Sequence, residues 1–287
     1  MKADLRDIFR EENLAVRIKI VDAGAAQFEG QHNRLIALAQ KFDGKVFCFE
    51  PNPEQYERLK ESVAGSPGVQ VLPQAIGDGR EHELKICRHP GGSSLLEPNF
   101  EVSGRYQAFG EWLEVVRRVQ LKTVALDEVE EIESSEFLKL DIQGAELSAL
   151  QSATRLLSAL LVVECEVNFV QQYVDQPLFS EIELFLRRHG FMFHKFCGFG
   201  SRQLEPPFRD GDPLDPGNQW LWSDAVFVRD LAQWTDLTDD QLIKIAIFMH
   251  ELYASDDFAF QALSMVDRRI HTHLAGHFAG LIKSRGS

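Results

Sequence analysis

No stretch of this sequence approaches the ~20 consecutive apolar residues of a membrane-spanning helix, so no segment reads as transmembrane. Cysteine is scarce. Cys48, Cys87, Cys165 and Cys197 lie far apart, none in a close metal-type pair, and three fall in or beside strand-like apolar runs. That usage points to reduced, buried thiols rather than a disulfide framework or a zinc site. Basic charge is in deficit: 30 Lys and Arg against 44 Asp and Glu leave a net charge of −14, which argues against nucleic acid as a partner. The opening MKADLRDIFREEN lacks the apolar core of a signal peptide, so a cytoplasmic location is expected. A full dinucleotide fingerprint is also missing. Counting from Gly24, the second and third glycine positions of G-x-G-x-x-G hold Ala26 and Glu29, and a carboxylate beside a pyrophosphate would repel it.

What is present is ordinary globular chemistry, 44% hydrophobic and 26% charged, in a chain long enough for one large core and an appendage. The stretch Ile18–Gly30, IKIVDAGAAQFEG, organises the rest. Ile18, Ile20 and Val21 suit a strand buried on both faces, Asp22 ends it, and Gly24 permits a tight turn. Leu35, Leu38, Ala39 and Phe42 then follow at helical spacing. A second strand, Lys45–Phe49, ends in Glu50 and leads into a helix start at Pro51-Asn52-Pro53. Two strand–helix units with a carboxylate at each strand's end form a nucleotide-type crevice in an open α/β sheet.

Around that crevice the pattern predicts a short amphipathic helix within residues 1–17 and a third strand at Val69–Ala75. Residues 80–135 depart from simple alternation, with short strands at Leu84–Cys87 and Val115–Val124. Regularity returns with a strand at Phe137–Leu140 ending in Asp141, a helix opened by Gly144, and a strand at Leu160–Cys165. A helix near Leu178–Arg188, a strand at Phe191–Phe196, a long loop over Cys197–Asn218 and a last, antiparallel strand at Gln219–Val228 complete the sheet. The expected fold is therefore α/β, a Rossmann-like doubly wound sheet of seven mixed strands over residues 1–230, with a C-terminal helical extension over 231–287. Leu242–Ile270 reads as a packed helical pair, with an oligomer interface or a lid as the lesser reading.

Two cofactor classes fit this arrangement. An NAD-type oxidoreductase is disfavoured by Ala26 and Glu29. S-adenosylmethionine carries no phosphate but does carry a sulfonium and an ammonium; Asp22 suits that charge, and Glu50 could hold a ribose diol. Several pieces then add specificity by their order: VDAGA (Val21–Ala25), FCFEPNPEQYERLK (Phe47–Lys60), QAIGDG (Gln74–Gly79), GGSSLL (Gly91–Leu96), LKTVALDEV (Leu121–Val129), FLKLDIQGAELSAL (Phe137–Leu150) and SDAVFVR (Ser223–Arg229). With them the chain resembles class I S-adenosylmethionine-dependent methyltransferases of the FkbM type over roughly residues 18–230. The resemblance implies O-methylation of a hydroxyl on a sugar, polyketide or similar small metabolite. It places Asp22, Gly24 and Ala25 in the cofactor turn, Glu50 with Pro51 and Asn52 at the ribose, and Ile76 and Asp78 beside the adenine. Asp141 would sit at the reacting centre, touching cofactor and serving as the catalytic carboxylate. Ser93, Ser94, Glu164 and Glu166 would face the acceptor. Ala26 and Phe28 stand where the family turn has Asn and a second Gly, so Gly30 is expected to take the sharp bend. A degenerate fold acting as a non-catalytic binding subunit is the remaining alternative.

Each of these residues also has a plainer reading. Taken singly, Asp22, Glu50 and Asp141 could cap helices, and Ser93 and Ser94 form turns by default. Glu146 falls in a helix's first turn, where the dipole favours an acid. His89 and His194 are isolated, and His273 with His277 lacks a third zinc ligand. Asp141, Glu164 and Glu166 supply enough carboxylates for a Mg²⁺ ion, but no spacing rule requires one and no metal is predicted.

Overall fold

Seven strands form one sheet, its central strands apolar and buried on both faces with helices packed on either side. The computed structural model describes residues 4–25, 33–206 and 211–285. In chain order the elements are α1 (Leu5–Glu11), β1 (Lys19–Ala23), α2 (Arg34–Lys41), β2 (Lys45–Phe49), α3 (Pro53–Ser62), β3 (Val69–Leu72), β4 (Glu81–Cys87), α4 (Phe100–Ser103), α5 (Phe109–Trp112), β5 (Val115–Lys122) and β6 (Phe137–Leu140). There follow α6 (Glu146–Gln151), α7 (Thr154–Ala159), β7 (Val162–Asn168), α8 (Phe179–Arg188), β8 (Phe191–Ser201), β9 (Trp220–Arg229), α9 (Asp239–Tyr253), α10 (Asp256–Ile270) and α11 (Leu274–Arg285). The sheet order is β3-β2-β1-β6-β7-β9-β8, with β9 antiparallel to both neighbours. This is the expected doubly wound, Rossmann-like sheet. Its order reverses between β1 and β6, and that switch point opens the crevice.

Alternate residues of each strand feed two cores. Ile20, Val46, Phe137, Val162 and Val226 face one side, where α1, α2, α3 and the C-terminal helices pack in the same hydrophobic cluster. Val21, Phe47, Leu138, Val163 and Phe227 face the other, under α6, α7 and α8. Among the described residues no helix is long and apolar enough to cross a membrane, and the four cysteines are free thiols.

The departures from expectation have physical causes. β7 runs three residues past Cys165, so Glu164 and Glu166 lie inside a strand and not at its end. Pairing with β9 carries it there, Glu166 opposite Asp224 and Asn168 opposite Trp222. β8 extends through Cys197–Ser201, taking the start of the expected loop into the same antiparallel ladder. Residues 80–124 form a separate two-stranded hairpin of β4 and β5. The C-terminal extension holds three helices. His271, in the left-handed region (φ 59°), ends α10, and Asp267 of α10 caps α11 by accepting from the Leu274 (2.8 Å) and Ala275 (2.9 Å) amides. A cap supplied by the preceding helix leaves no local signature. The expected bend at Ala26, Phe28 and Gly30 lies outside the described residues.

Glu164, fully buried in β7, ties the C-terminal helices to the sheet: the Tyr253 hydroxyl at the end of α9 donates to it at 2.6 Å, and Arg34 at the start of α2 pairs with it. Burial holds the Tyr253 phenol well above its usual range, and Glu164 beside it adds to that, so it stays a donor. Tyr253→Phe removes one donor from a buried carboxylate and should cost about 1.5–3 kcal/mol of stability. Urea unfolding measures this; a loss below about 0.5 kcal/mol would mean that Arg34 alone satisfies Glu164.

Candidate functional site

The crevice is built first by backbone. The Gly24 and Ala25 amides both donate to the Phe49 carbonyl (3.0 and 3.1 Å), and the Asp141 amide donates to the Ala23 carbonyl (3.0 Å). The ends of β1, β2 and β6 are thereby drawn together. Gly24 has φ +83°, and a Cβ there would lie 1.8 Å from the Asp141 carbonyl oxygen, so no side chain fits the turn. Beside it lies a cleft of about 950 Å³ counted out to its open mouth.

Nine of the residues singled out in the sequence line this cleft: Gly24, Glu50, Pro51, Asn52, Ile76, Ser93, Ser94, Asp141 and Glu166. Glu50 is 5% exposed, and its Oε1 accepts from the Asn52 amide at 2.8 Å, while Asn52 caps α3. The Glu-Pro-Asn-Pro turn thus orients the carboxylate. Phe49, Ala75, Ile76 and Leu84 supply an apolar wall. The serines pin the opposite rim. Ser94 Oγ donates to the Gln143 carbonyl (2.5 Å), and Ser93 Oγ accepts from the Cys87 amide (3.1 Å).

Four others are placed elsewhere. Asp22 is buried behind the turn; its Oδ2 accepts from Asn33 (3.1 Å), and its Oδ1 has no partner among the described residues. Burial raises the Asp22 pKa and Lys139 opposes the rise. Ala25 packs in the hydrophobic cluster under α2. Asp78 accepts from His82 (2.7 Å), the Arg80 amide (3.0 Å) and Thr123 (3.3 Å). Against a desolvation cost, those bonds hold its carboxyl below the usual range. Glu164 points under α9, engaged by Arg34 and Tyr253.

Behind Asp141, outside the cleft lining, charge is organised by Lys139. Asp22, Lys139 and Glu164 share one register row across β1, β6 and β7, so their side chains leave the same face. Lys139 Nζ reaches Asp141 Oδ2 at 3.1 Å. Burial would lower its pKa, but Asp141, Asp22, Glu164 and Asp224 around it raise it, so the ammonium stays charged. Asp224, on β9, is pushed up to about 6 by burial, with Asp141 and Glu164 adding to the effect. Glu146 holds the turn before α6 by accepting from the Ile142 (2.9 Å) and Gly144 (2.9 Å) amides, and burial pushes it up to about 7.

Gln143, in the left-handed region at φ 55°, spans the gap between two cleft carboxylates. Its Nε2 donates to Asp141 Oδ1 (2.9 Å) and Glu166 Oε2 (2.8 Å), and its Oε1 lies 3.1 Å from the Tyr173 hydroxyl. Lys139, Gln143, Tyr173 and Asp224 were not singled out in the sequence. A charged residue inside the apolar strands FLKL and SDAVFV was the available signal for Lys139 and Asp224; Gln143 and Tyr173 carried none. Among the described residues no group of three or more His, Cys, Asp or Glu side chains is placed to hold a metal ion.

Among curated relatives, the hexuronic acid methyltransferase AglP of Haloferax volcanii is 28% identical over 128 residues, 43% of this chain and 47% of that protein. The 2-O-methyltransferase NoeI of Sinorhizobium fredii is 23% identical over 161 residues, 53% of this chain and 64% of that protein. The chain thus spans about half to two thirds of the length of these relatives. Solved structures similar to it include a precorrin-6y C5,15-methyltransferase from Geobacter metallireducens GS-15, 11% identical, TM-score 0.37, covering 78% of this chain and 88% of that one. An S-adenosylmethionine-dependent methyltransferase from Aquifex aeolicus is 12% identical, TM-score 0.32, covering 79% and 90%. The methyltransferase FkbM domain matches residues 22–193, more than half of the 287, and the chain belongs to that family.

Proposed function

We propose that the protein is an S-adenosylmethionine-dependent methyltransferase acting on a hydroxyl of a sugar or similar small metabolite. The observation that carries this reading is the pairing of Glu50 and Asp141 across one cleft with an apolar wall between them, in a chain of this family. Bound S-adenosylmethionine supplies an electrophilic methyl carbon on a sulfonium. Glu50, at the end of β2, would accept from a ribose diol. Phe49, Ala75 and Ile76 would cover an adenine face, and Gly24 lets the chain approach without a side chain. Asp22 Oδ1, buried and without a partner among the described residues, fits a cationic group held near the turn. Asp141, anchored by Lys139, presents negative charge where a sulfonium or ammonium would lie. The names of AglP and NoeI support a hydroxylated small-molecule acceptor, which would enter beside Ser93 and Glu166. Holding two reactants aligned can itself contribute about 7–11 kcal/mol toward the barrier. The C-terminal helices (231–287) we read as a structural extension of the 1–230 catalytic unit.

Isothermal calorimetry tests the cofactor. Wild type should bind S-adenosylmethionine and ignore NAD, and Glu50→Ala should weaken binding by about 1.5–3 kcal/mol, the range for a charged hydrogen-bonding group. Binding of NAD in preference, or unchanged affinity in the variant, would overturn the assignment.

Asp141→Asn keeps the shape and removes the charge. As a counter-charge, its loss should weaken S-adenosylmethionine binding about tenfold or more, with turnover at saturating cofactor largely retained. Steady-state kinetics beside calorimetry separates this from a proton-accepting role, in which binding survives and kcat falls about 10²–10⁴-fold. A variant normal in both would remove Asp141 from the site.

A further inference from the structure

Methyl transfer to a hydroxyl needs a group to take the proton, and Asp141 is already engaged on both oxygens, by Lys139 and by Gln143. Glu166 is differently placed. It lines the same cleft, its Oε2 accepts from Gln143, and its Oε1 accepts no hydrogen bond from the described residues. The Gln143 carboxamide can adopt one orientation there. When Asp141 and Glu166 are ionised, both neighbours on one side can only accept, so the nitrogen faces them. Its oxygen then faces the Tyr173 hydroxyl, whose one proton is shared between Gln143 Oε1 (3.1 Å) and the Gly92 carbonyl (2.9 Å). Tyr173 is 1% exposed, and burial keeps its phenol protonated. Ser94 holds the Gln143 backbone from the loop above, and the following Gly144 (φ +100°) completes the turn.

We propose that Glu166 is the proton acceptor of the reaction, and that Gln143, oriented by Tyr173, is the residue that positions it. This rests on the methyltransferase reading. The acceptor's O–H bond breaks, its proton passes to the Glu166 carboxylate to give a neutral acid, and the bonding pair stays on oxygen. That oxygen forms the new O–C bond as the C–S pair of the sulfonium methyl donor leaves with sulfur; Glu166 then releases the proton to water at the cleft mouth. The groups facing Glu166 favour the task. Burial, with Asp141 from the β6 loop, Glu146 from α6 and Asp224 from β9, raises its pKa well above the carboxylate range, while Lys139 on β6 opposes. Tyr173 and the Cys165 thiol, held protonated by burial, are neutral neighbours. A carboxylate with raised proton affinity is a better base than an ordinary one.

Turnover should therefore rise with pH through the folded Glu166 pKa and then level. Glu166→Gln should lower kcat about 10²–10⁴-fold with the KM for S-adenosylmethionine held within about threefold. Gln143→Leu removes the donor that stabilises the charged form. The acidic limb should then move up by about one to two pH units, with Tyr173→Phe moving it less in the same direction. Carboxyl ¹³C NMR of Glu166 in the cofactor-free protein reads the same midpoint without turnover, and should shift equally in Gln143→Leu. Glu166→Gln retaining wild-type kcat, or a Glu166 midpoint unmoved by both Gln143→Leu and Tyr173→Phe, overturns the proposal. Calorimetry of wild type with S-adenosylmethionine, run alongside, reports separately on the methyltransferase reading, and the NMR titration stands whichever way that falls.

Discussion

The carboxyl edge of this sheet gathers more acid than a protein interior tolerates unaided, and the Lys139 ammonium is what makes the gathering possible. Asp22, Asp141, Glu164 and Asp224 approach it from β1, the β6 loop, β7 and β9. An isolated carboxylate taken from water costs several kcal/mol or becomes protonated. A cation on the middle strand opposes the rise that burial imposes on Asp22 and Asp224, and its bond to Asp141 fixes that carboxylate's direction. The cleft's character follows. One wall is apolar and the lining carries Glu50, Asp141 and Glu166, a combination suited to a cationic nucleoside and poorly suited to a pyrophosphate.

The second consequence concerns the back of the site. Glu164 shares the Lys139 row but faces α9, where Arg34 and Tyr253 complete its bonding. Asn33 and Arg34 are consecutive, one bonded to Asp22 and the other to Glu164. The start of α2 is therefore tied to two strands at once, beside the turn at Gly24. Through Tyr253 the C-terminal helices take part in that anchoring, although their residues lie far along the chain from the turn.

At the front, the β4–β5 hairpin and the loop between its strands roof the cleft. Ser94 pairs with Lys85 on the hairpin through backbone bonds of 2.8 and 3.0 Å and with the Gln143 carbonyl through its side chain. The roof is thus bonded to the same turn that carries Asp141 and Gln143. The proposed cofactor side and acceptor side meet at that turn.

Much of this was legible in the chain itself. Strands buried on both faces read as continuous apolar runs, and glycines mark the turns that follow them. Asp22, Glu50 and Asp141 stand out because each breaks such a run at its end, and the order of the surrounding pieces identified the family. Local sequence therefore determined the strands, the turn at Gly24 and the acidic residues at or beside the strand ends, Asp22, Glu50 and Asp141. Which carboxylates face the cleft was decided by tertiary structure alone. Glu164 and Glu166 are two residues apart on one strand and leave the same face, yet one is closed over by Tyr253 and Arg34 and the other opens into the cleft. Gln143 and Tyr173, Lys139 and Asp224, Asp267 and the first turn of α11 are likewise partners that no spacing rule links. Their contacts depend on strand register and helix packing, which are set by the burial of the whole apolar pattern and not by any short stretch of it.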